Sequence, residues 1–315
     1  MSSTDAYQHF ARLQAACETQ APLPTAVACP NNEPAMAGVM EAVDAGLIAP
    51  VLVGEPDRIA AACTALQIKP DRFPVIAAQG EAESAARAVE QVHLGNAAAV
   101  MKGNLHSDVL LGAVVKREIG LRTDKRLSHI FVTDMPGYER LIAVTDGALN
   151  IAPDVASRAD IIENAGLLAK AYGVETPNVA VMSAVETVNT AIQSSVDAQT
   201  LTDMASEGRF AGLNVHGPLA MDNAISLEAA RIKGIQAHVA GRADILAVPT
   251  IECGNMVVKA LTFIAGADAA GIVMGAKVPV MLTSRADSPL ARRMSCVLAV
   301  LVAHYQATGQ SLVSS

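Results

Sequence analysis

The stretch Val278-Pro279-Val280-Met281-Leu282-Thr283-Ser284-Arg285-Ala286-Asp287-Ser288-Pro289 joins an apolar run to the start of a helix. The apolar run 278–282 predicts a short buried strand. Ser288 followed by Pro289 is typical of an N-cap and the first helical position. The polar residues between them therefore lie where a strand ends and a helix begins. Open α/β sheets bind ligands at such places, and the helix dipole favours an anion there.

The polar residues of this stretch are a hydroxyl, a guanidinium and a carboxylate, from Ser284, Arg285 and Asp287. A single arginine among small polar groups suits a phosphate-sized ligand, because its planar fork matches phosphate geometry. We expect Arg285 to hold the anion and Ser284 to donate a hydrogen bond. Asp287 would orient Arg285 or move a proton. The alternative is a polar loop with a local Arg–Asp pair.

Strand and helix patterns alternate along the rest of the chain, which predicts a mostly parallel sheet covered by helices on both faces. Predicted strands include Thr25–Cys29 and Ala97–Met101, and a predicted helix covers Met256–Ile264. A length of 315 residues favours two domains. The join between them is predicted near Pro136-Gly137.

Composition excludes several classes of protein. Hydrophobic residues make up 51% of the chain, charged residues 17% and aromatic residues 3%, with a net charge of −8. An acidic chain poor in aromatic residues is not typical of nucleic-acid binders. Five scattered cysteines without a CxxC pair indicate a reducing compartment and no zinc site. With no signal peptide and no apolar run long enough to span a membrane, the sequence predicts a soluble cytoplasmic protein.

Other candidate residues follow predicted strands or open predicted helices. Lys102 follows a buried strand, with His106 and Ser107 just beyond it. Gly254-Asn255 is predicted to open a helix that carries Lys259 one turn further on. Structural alternatives remain for each: a loop histidine for His106, a surface lysine for Lys259, and a turn for Asp222. No GxGxxG, Walker A, HExxH or GxSxG motif is present in the sequence.

Several further segments occur in a fixed order along the second half of the chain: Gly217-Pro218-Leu219-Ala220-Met221-Asp222-Asn223-Ala224, Lys233-Gly234-Ile235, Val239-Ala240-Gly241-Arg242-Ala243-Asp244-Ile245, Val248-Pro249-Thr250-Ile251-Glu252-Cys253-Gly254-Asn255 and Gly275-Ala276-Lys277-Val278-Pro279. With Thr283–Ser288 they resemble the phosphate acetyl/butyryl transferases, most closely the butyryl branch. The resemblance extends from about Cys29-Pro30 to the end of the chain.

The resemblance implies a two-domain, three-layer αβα fold like that of the isocitrate and isopropylmalate dehydrogenases, with the active site in an interdomain cleft. Domain I would comprise residues 1–140 with 273–315, and domain II residues 141–272. The implied reaction moves an acetyl or butyryl group between coenzyme A and inorganic phosphate in a ternary complex. No metal or prosthetic group is implied, coenzyme A being a substrate, and family members are usually homodimers.

The resemblance also implies roles for single residues. Ser284 and Arg285 match the active-site Ser-Arg pair, and Lys102–Ser107 matches a loop with a histidine followed by a hydroxyl residue. Ser128 falls near a hydroxyl position that helps to bind phosphate. Asn255, Lys259 and Asp222 lie in matched segments and complete the predicted substrate-binding set. Ala291 occupies the position at which the acetyl branch has an aspartate proposed as base, so either Asp287 takes that role or no side chain acts as base, as the butyryl branch would allow.

Two other functions remain open from the sequence. One is a metal-dependent oxidoreductase on the same fold, although Asp244 and Asp268 form no convincing metal cluster. The other is a non-catalytic module that senses an acyl-CoA. A requirement for a divalent metal would identify the first, and a turnover assay would separate the second from an acyltransferase.

Overall fold

The structure is a computed structural model, which describes residues 8–69, 71–282 and 287–313. The strands are β1 Leu23–Ala28, β2 Ile48–Gly54, β3 Val75–Ala77, β4 Ala99–Lys102, β5 Ser128–Asp134, β6 Ile142–Thr145, β7 Asn178–Met182, β8 Asn214–Leu219, β9 Ile245–Ala247, β10 Asp268–Met274 and β11 Val280–Met281. The helices are α1 Gln8–Cys17, α2 Glu33–Asp44, α3 Pro56–Ala65, α4 Gly80–His93, α5 Ser107–Val114, α6 Val155–Ala171, α7 Gln193–Ser206, α8 Met221–Ile225, α9 Leu227–Ile232, α10 Ile251–Phe263 and α11 Pro289–Thr308.

The chain divides into two compact units. One unit, called the continuous unit after its main segment, consists of Arg126–Ala269 with the described residues 8–11 and 313 from the two ends of the chain; the split unit combines Arg12–Lys125 with Ala270–Leu312. The predicted domain limits, 140/141 and 272/273, lie further along the chain than these boundaries. Pro136-Gly137, where we predicted the join, lies inside the continuous unit. The predicted domains stay a prediction.

The split unit has the strand order β3-β2-β1-β4-β11-β10. Its strands pair in parallel, β11 with β4 included, except that β10 runs antiparallel to β11. Helix α4 packs on β1, β2 and β4, whereas α2 and α11 pack on each other and on β2 and β11 respectively. All four residues from Thr25 to Ala28 are fully buried. Helices therefore cover both faces of this sheet, as expected for parallel strands.

The continuous unit has the strand order β5-β6-β9-β7-β8. Strands β6, β9, β7 and β8 are parallel, and β5 runs antiparallel to β6. Helix α6 packs on β5, β6 and β9, and α7 packs on β7 and β8. A separate hydrophobic cluster joins β6, β7 and β9 to buried residues of α8, α9 and α10. The predicted α/β class is confirmed, and within the described ranges no helix is long and apolar enough to cross a membrane.

Two sequence predictions about elements were wrong. The helix predicted from Met256 begins at Ile251, with Thr250 as its N-cap in extended conformation, so Gly254 and Asn255 lie inside it. Strand β10 was not predicted, because its first four residues, Asp268–Gly271, carry little of the apolar pattern typical of a buried strand.

Candidate active site

Three parallel strands of the split unit, β1, β4 and β11, end at one edge of its sheet. Each is followed by a polar segment and then by the N-terminus of a helix: α2, α5 or α11. Asn32 caps α2, its Oδ1 accepting a hydrogen bond from the Ala35 N–H at 3.0 Å. The positive ends of three helix dipoles therefore meet this edge, which favours bound anions.

The segment that follows β11 holds the strongest sequence candidates. Ser284 and Arg285 lie outside the described residues, which resume at Asp287. The predicted helix start is confirmed, since the Oγ of Ser288 accepts a hydrogen bond from the Ala291 N–H at 3.1 Å and Pro289 begins α11. The backbone carbonyl of Asp287 accepts a hydrogen bond from Nη1 of Arg292 at 3.0 Å. Asp287 is thus held against the first turn of α11.

The loop after β4 is tied directly to the loop after β1. Gly103 donates its N–H to the carbonyl of Ala28 at 2.8 Å, and Asn104 donates its N–H to that of Cys29 at 2.7 Å. The Asn104 side chain also donates to Oδ1 of Asn31 at 3.0 Å. A Cβ on Gly103 would lie 2.5 Å from two carbonyl oxygens, so only glycine fits there. Half-buried Lys102 is therefore held at a fixed place on this edge.

His106 is exposed at the N-cap of α5, where its ring contacts the carboxylate of Glu81. Oε2 of Glu81 accepts hydrogen bonds from the His106 N–H at 2.9 Å and from Nδ1 at 2.8 Å. These hydrogen bonds hold the pKa of Glu81 below its ordinary value, and the charge of Lys102 acts in the same direction. Sequence reasoning missed Glu81, although it stands in the first turn of a helix that follows a strand.

Ser128, in the continuous unit, is fully buried at the start of β5. Its Oγ accepts a hydrogen bond from Nδ2 of Asn164 at 2.9 Å, and Nδ2 also donates to the carbonyl of Arg126 at 2.8 Å. Because β5 is antiparallel to β6, Ser128 lies at the sheet edge where β6 ends and Asp146 follows it. The predicted phosphate-binding hydroxyl is therefore oriented by Asn164, a partner that the sequence did not indicate.

Asp146 is a second residue that sequence reasoning missed. It is 2% exposed. Its carboxylate accepts hydrogen bonds from the backbone N–H groups of His129, Ala148, Leu149 and Asn150 at 2.9 to 3.3 Å. The side chain of Asn150 donates a fifth at 2.7 Å. A buried carboxylate with this many donors stabilises the loop that follows β6. Four of these five hydrogen bonds come from Ala148–Asn150, and only the one from His129 comes from another segment, 17 residues away.

Helix α10 packs tightly against this loop. A Cβ on Gly254 would lie 2.6 Å from the carbonyl oxygen of Asp146 and 2.8 Å from the Cα of Gly147. A Cβ on Gly147 would in turn lie 3.4 Å from the backbone nitrogen of Asn255. Half-buried Asn255 therefore lies beside the Asp146 loop, on the first turns of α10. The predicted site residues Ser128 and Asn255 both belong to this region of the continuous unit.

Two further predicted residues are exposed. Asp222 pairs with Lys233 at 3.1 Å, and Lys233 also pairs with Glu186 at 3.2 Å. The hydrogen bond from Lys233 lowers the pKa of Asp222. Lys259 lies on the exposed side of α10. Their roles in substrate binding stay predictions.

The predicted site residues thus fall into two groups. Lys102, His106, Ser107 and Asp287 lie on the polar segments at one sheet edge of the split unit. Ser128 and Asn255 lie near the Asp146 loop of the continuous unit. Among the side chains that the structure describes, no group of three or more histidine, cysteine, aspartate or glutamate residues is placed to hold a metal ion.

Comparison with known proteins adds independent findings. Residues 77–300 match the model of a protein family described as "Phosphate acetyl/butaryl transferase". A phosphate acetyltransferase of Rhizobium meliloti is 44% identical over 294 residues, covering 93% of each chain. A phosphate butyryltransferase of Clostridium acetobutylicum is 39% identical over 278 residues, covering 88% of this chain and 92% of that protein.

Solved structures agree with these sequence relatives. A branched-chain phosphotransacylase from Enterococcus faecalis V583 superposes with a TM-score of 0.78 at 31% identity, covering 89% of this chain and 99% of the other. A 4-hydroxythreonine-4-phosphate dehydrogenase from Burkholderia phymatum superposes with a TM-score of 0.53 at 14% identity, covering 89% and 98%. The second likeness concerns the fold alone and agrees with the predicted dehydrogenase-like architecture. Because the family match and the relatives span most of its length, this chain belongs to the phosphate acetyl/butyryl transferase family.

Proposed function

We propose that this protein is a phosphate acyltransferase that moves a short acyl group between coenzyme A and inorganic phosphate. The observation that carries the proposal is the sheet edge of the split unit, where three helix N-termini and Lys102 meet the ends of β1, β4 and β11. In the sequence, Arg285 stands between β11 and α11. Such an edge suits two anionic substrates, and the chain belongs to a family named for this reaction.

In the proposed reaction, a phosphate oxygen attacks the thioester carbonyl carbon. A carbon–oxygen bond forms and the carbon–sulfur bond breaks, which releases coenzyme A as a thiolate that takes up a proton. Arg285 would hold the phosphate in line with the carbonyl, which lowers the entropic cost of bringing two substrates together. Ser284 and Asn255 would donate hydrogen bonds to the oxyanion, and Asp287 would exchange the proton.

The remaining predicted residues are assigned to substrate binding. Lys102, His106 and Ser107 would bind anionic groups at the edge of the split unit, and Ser128 would contribute its hydroxyl to phosphate. We further propose a cytoplasmic location and a homodimer. The location is supported by five free cysteines, four of them buried, which are typical of a reducing compartment.

The proposal is tested by measuring coenzyme A release from acetyl-, propionyl- and butyryl-CoA with and without phosphate. We expect release that depends on phosphate and yields an acyl phosphate in equal amount. Release that is equally fast without phosphate would identify a thioesterase and overturn the proposal. The same series ranks the acyl chains, a point on which relatives named for acetyl and for butyryl transfer differ. A parallel sample with EDTA tests the expectation of metal independence.

A further inference from the structure

Two neighbouring arginines in the first turns of α11 share one carboxylate on α2. Nη2 of Arg292 lies 3.7 Å from Oε2 of Glu41, and Nη1 of Arg293 lies 3.8 Å from Oε1 of the same residue. The three side chains are between 21% and 32% exposed. Partly buried charges are screened less by salt than surface charges are. This charge cluster therefore joins the two helices within the split unit.

The two arginines differ in the hydrogen bonds that they donate. Nη1 of Arg292 donates to the backbone carbonyl of Asp287 at 3.0 Å. Nε of Arg293 instead donates to Oε1 of Gln14 at 3.1 Å. Arg292 thus connects α2 to the residue that precedes the N-cap of α11, whereas Arg293 connects α2 and α11 to Gln14.

Helix α2 leaves room for the stem of Arg292. Gly38 is buried and lies three residues before Glu41 on this helix. A Cβ on Gly38 would lie 3.3 Å from Cδ and 3.5 Å from Nε of Arg292. Glycine is unfavourable within a helix, so a packing reason accounts for its use here. The stem of Arg292 therefore crosses α2 at Gly38, and its guanidinium reaches Glu41.

The surroundings of Arg292 contribute little to stability. Its Nε is buried without a hydrogen-bond partner among the residues that the structure describes. Its 3.7 Å separation from Glu41 is longer than the ~2.8 Å of a strong charge-assisted hydrogen bond. An apolar side chain here would avoid desolvating an unpaired N–H group. Stability therefore gives little reason for an arginine at this position, whereas the hydrogen bond to Asp287 gives one.

We infer that Arg292 is a positioning residue for Asp287, with Gly38 and Glu41 as its supports on α2. The inference rests on the proposed function, in which Asp287 exchanges the proton, and adds the residues that fix its place. Helix α2 begins at the Asn32 cap, on the sheet edge where anions are favoured. Because proton transfer needs hydrogen-bond distance, a displaced Asp287 slows turnover while the substrates still bind.

The first test is the effect of Arg292→Ala on phosphate-dependent release of coenzyme A from butyryl-CoA. We expect kcat to fall ~10- to 100-fold, as for a misplaced reacting group, with both KM values within ~2-fold of wild type. Arg292→Lys keeps a donor for the Asp287 carbonyl and should recover most of kcat. Arg293→Ala is the matched control, because it removes a charge from the same cluster but keeps the hydrogen bond to Asp287. Circular dichroism establishes that the variants fold.

The second test asks whether Arg292 acts through Asp287. Asp287→Asn should lower kcat, and adding Arg292→Ala to it should lower kcat no further. From the α2 side, Gly38→Ala should displace the Arg292 stem by a few tenths of an ångström. Because alanine favours the helix, we expect unchanged or higher thermal stability together with a lower kcat. In an Arg292→Ala background, Gly38→Ala should leave kcat unchanged.

The outcomes separate the positioning role from the function. Wild-type kcat for Arg292→Ala, a raised KM in place of a lowered kcat, or additive losses with Asp287→Asn would each overturn the role. Wild-type turnover of Asp287→Asn would overturn it as well, since no proton carrier would then need positioning. Release of coenzyme A by the wild-type chain, with and without phosphate, decides the acyl-transfer proposal separately.

Discussion

Arg285 and Glu81 are the single residues on which the proposed site depends most. Arg285 belongs to the sequence between β11 and α11, and Lys102 is fixed at the end of β4 by the glycine that follows it. Glu81 holds His106 by accepting one hydrogen bond from its backbone N–H and one from Nδ1 of its ring. Arg285 would contact substrate directly, and Glu81 would act by positioning His106.

Arg285→Lys should fold normally and lose phosphate binding. A lysine keeps the charge but not the planar fork, so two-point contact with phosphate is lost. We expect a loss of ~2–4 kcal/mol in transition-state stabilisation, with the KM for acyl-CoA nearly unchanged. Steady-state kinetics with phosphate varied at saturating acyl-CoA measure this. Arg293→Lys on α11 is the control, and equal kinetics for the two variants would mean that Arg285 is structural.

Glu81→Gln should lower activity through His106. The amide keeps one acceptor oxygen but removes the negative charge that holds the His106 ring. We therefore expect a ~5-fold rise in the KM for one of the anionic substrates and a shift in the pH profile of activity. Glu83→Gln is a matched control, because Glu83 shares the same helical turn but accepts hydrogen bonds from Gln79 and Arg87. In a His106→Asn background the Glu81→Gln substitution should have no further effect. Additive losses would contradict a positioning role.

At the residue scale, the sequence predicted what depends on near neighbours. Ser288 and Pro289 were assigned correctly because a cap and its helix are adjacent in the chain. Glu81, Asn164 and Asp146 were not found. Each acts on a group that is distant in sequence, such as the Ser128 hydroxyl, so no local pattern records the contact.

Among the elements, α10 shows that tertiary packing, and not helix propensity, can set where a helix begins. Glycine is unfavourable within a helix, so the sequence predicted Gly254 at the start of this helix and not inside it. The structure places it inside, because a close approach to the Asp146 loop excludes any side chain. By contrast, β1, which has a continuous apolar run, was predicted over Thr25–Cys29 and extends over Leu23–Ala28.

Gly254→Ala should therefore destabilise the protein. The added methyl meets backbone atoms at 2.6 and 2.8 Å, which cannot move as a flexible side chain does. We expect a loss of about 1–3 kcal/mol, typical of overpacking, and lower activity because Asn255 shifts with the helix. Thermal and urea unfolding measure it. Gly112→Ala in α5 meets nothing within 4 Å and should instead raise stability by up to ~1 kcal/mol.

For the whole molecule, stability should fall in mild acid because of His129. Burial lowers the pKa of His129 to about 4. Its Nδ1 is buried without a hydrogen-bond partner among the described residues. The unfolded chain then binds more protons than the folded one between about pH 6.5 and 4, so the free energy of unfolding decreases as pH falls through this window.

Calorimetry across this pH range should show the decrease in wild type and a shallower one in His129→Phe, which keeps a ring beside Phe131. The contribution is up to about 3 kcal/mol. An exposed histidine of the same unit, at position 238, supplies the control His238→Gln. An identical slope in all three proteins would assign the acid sensitivity to other groups.

The division of the chain into two units was the property that the sequence predicted least well. Neither the boundary at 125/126 nor the one at 269/270 has the composition of a linker, and the second falls within strand β10. Alternating strands and helices predict an α/β class, yet they do not tell which strand belongs to which sheet. Only pairing between distant residues does so.

That pairing has a consequence for how the protein is made. In the split unit, β4 lies between β1 and β11, with Val100 paired to Val280. A ribosome delivers β1 to β4 first, then the whole continuous unit, and only afterwards β11 and α11. Most of the continuous unit can close while translation proceeds, whereas β4 waits with an open hydrogen-bonding edge until β11, at residues 280–281 of 315, has emerged. The split unit, which would hold Arg285, is therefore the last to complete its fold. We expect the nascent chain to need protection from aggregation during that interval.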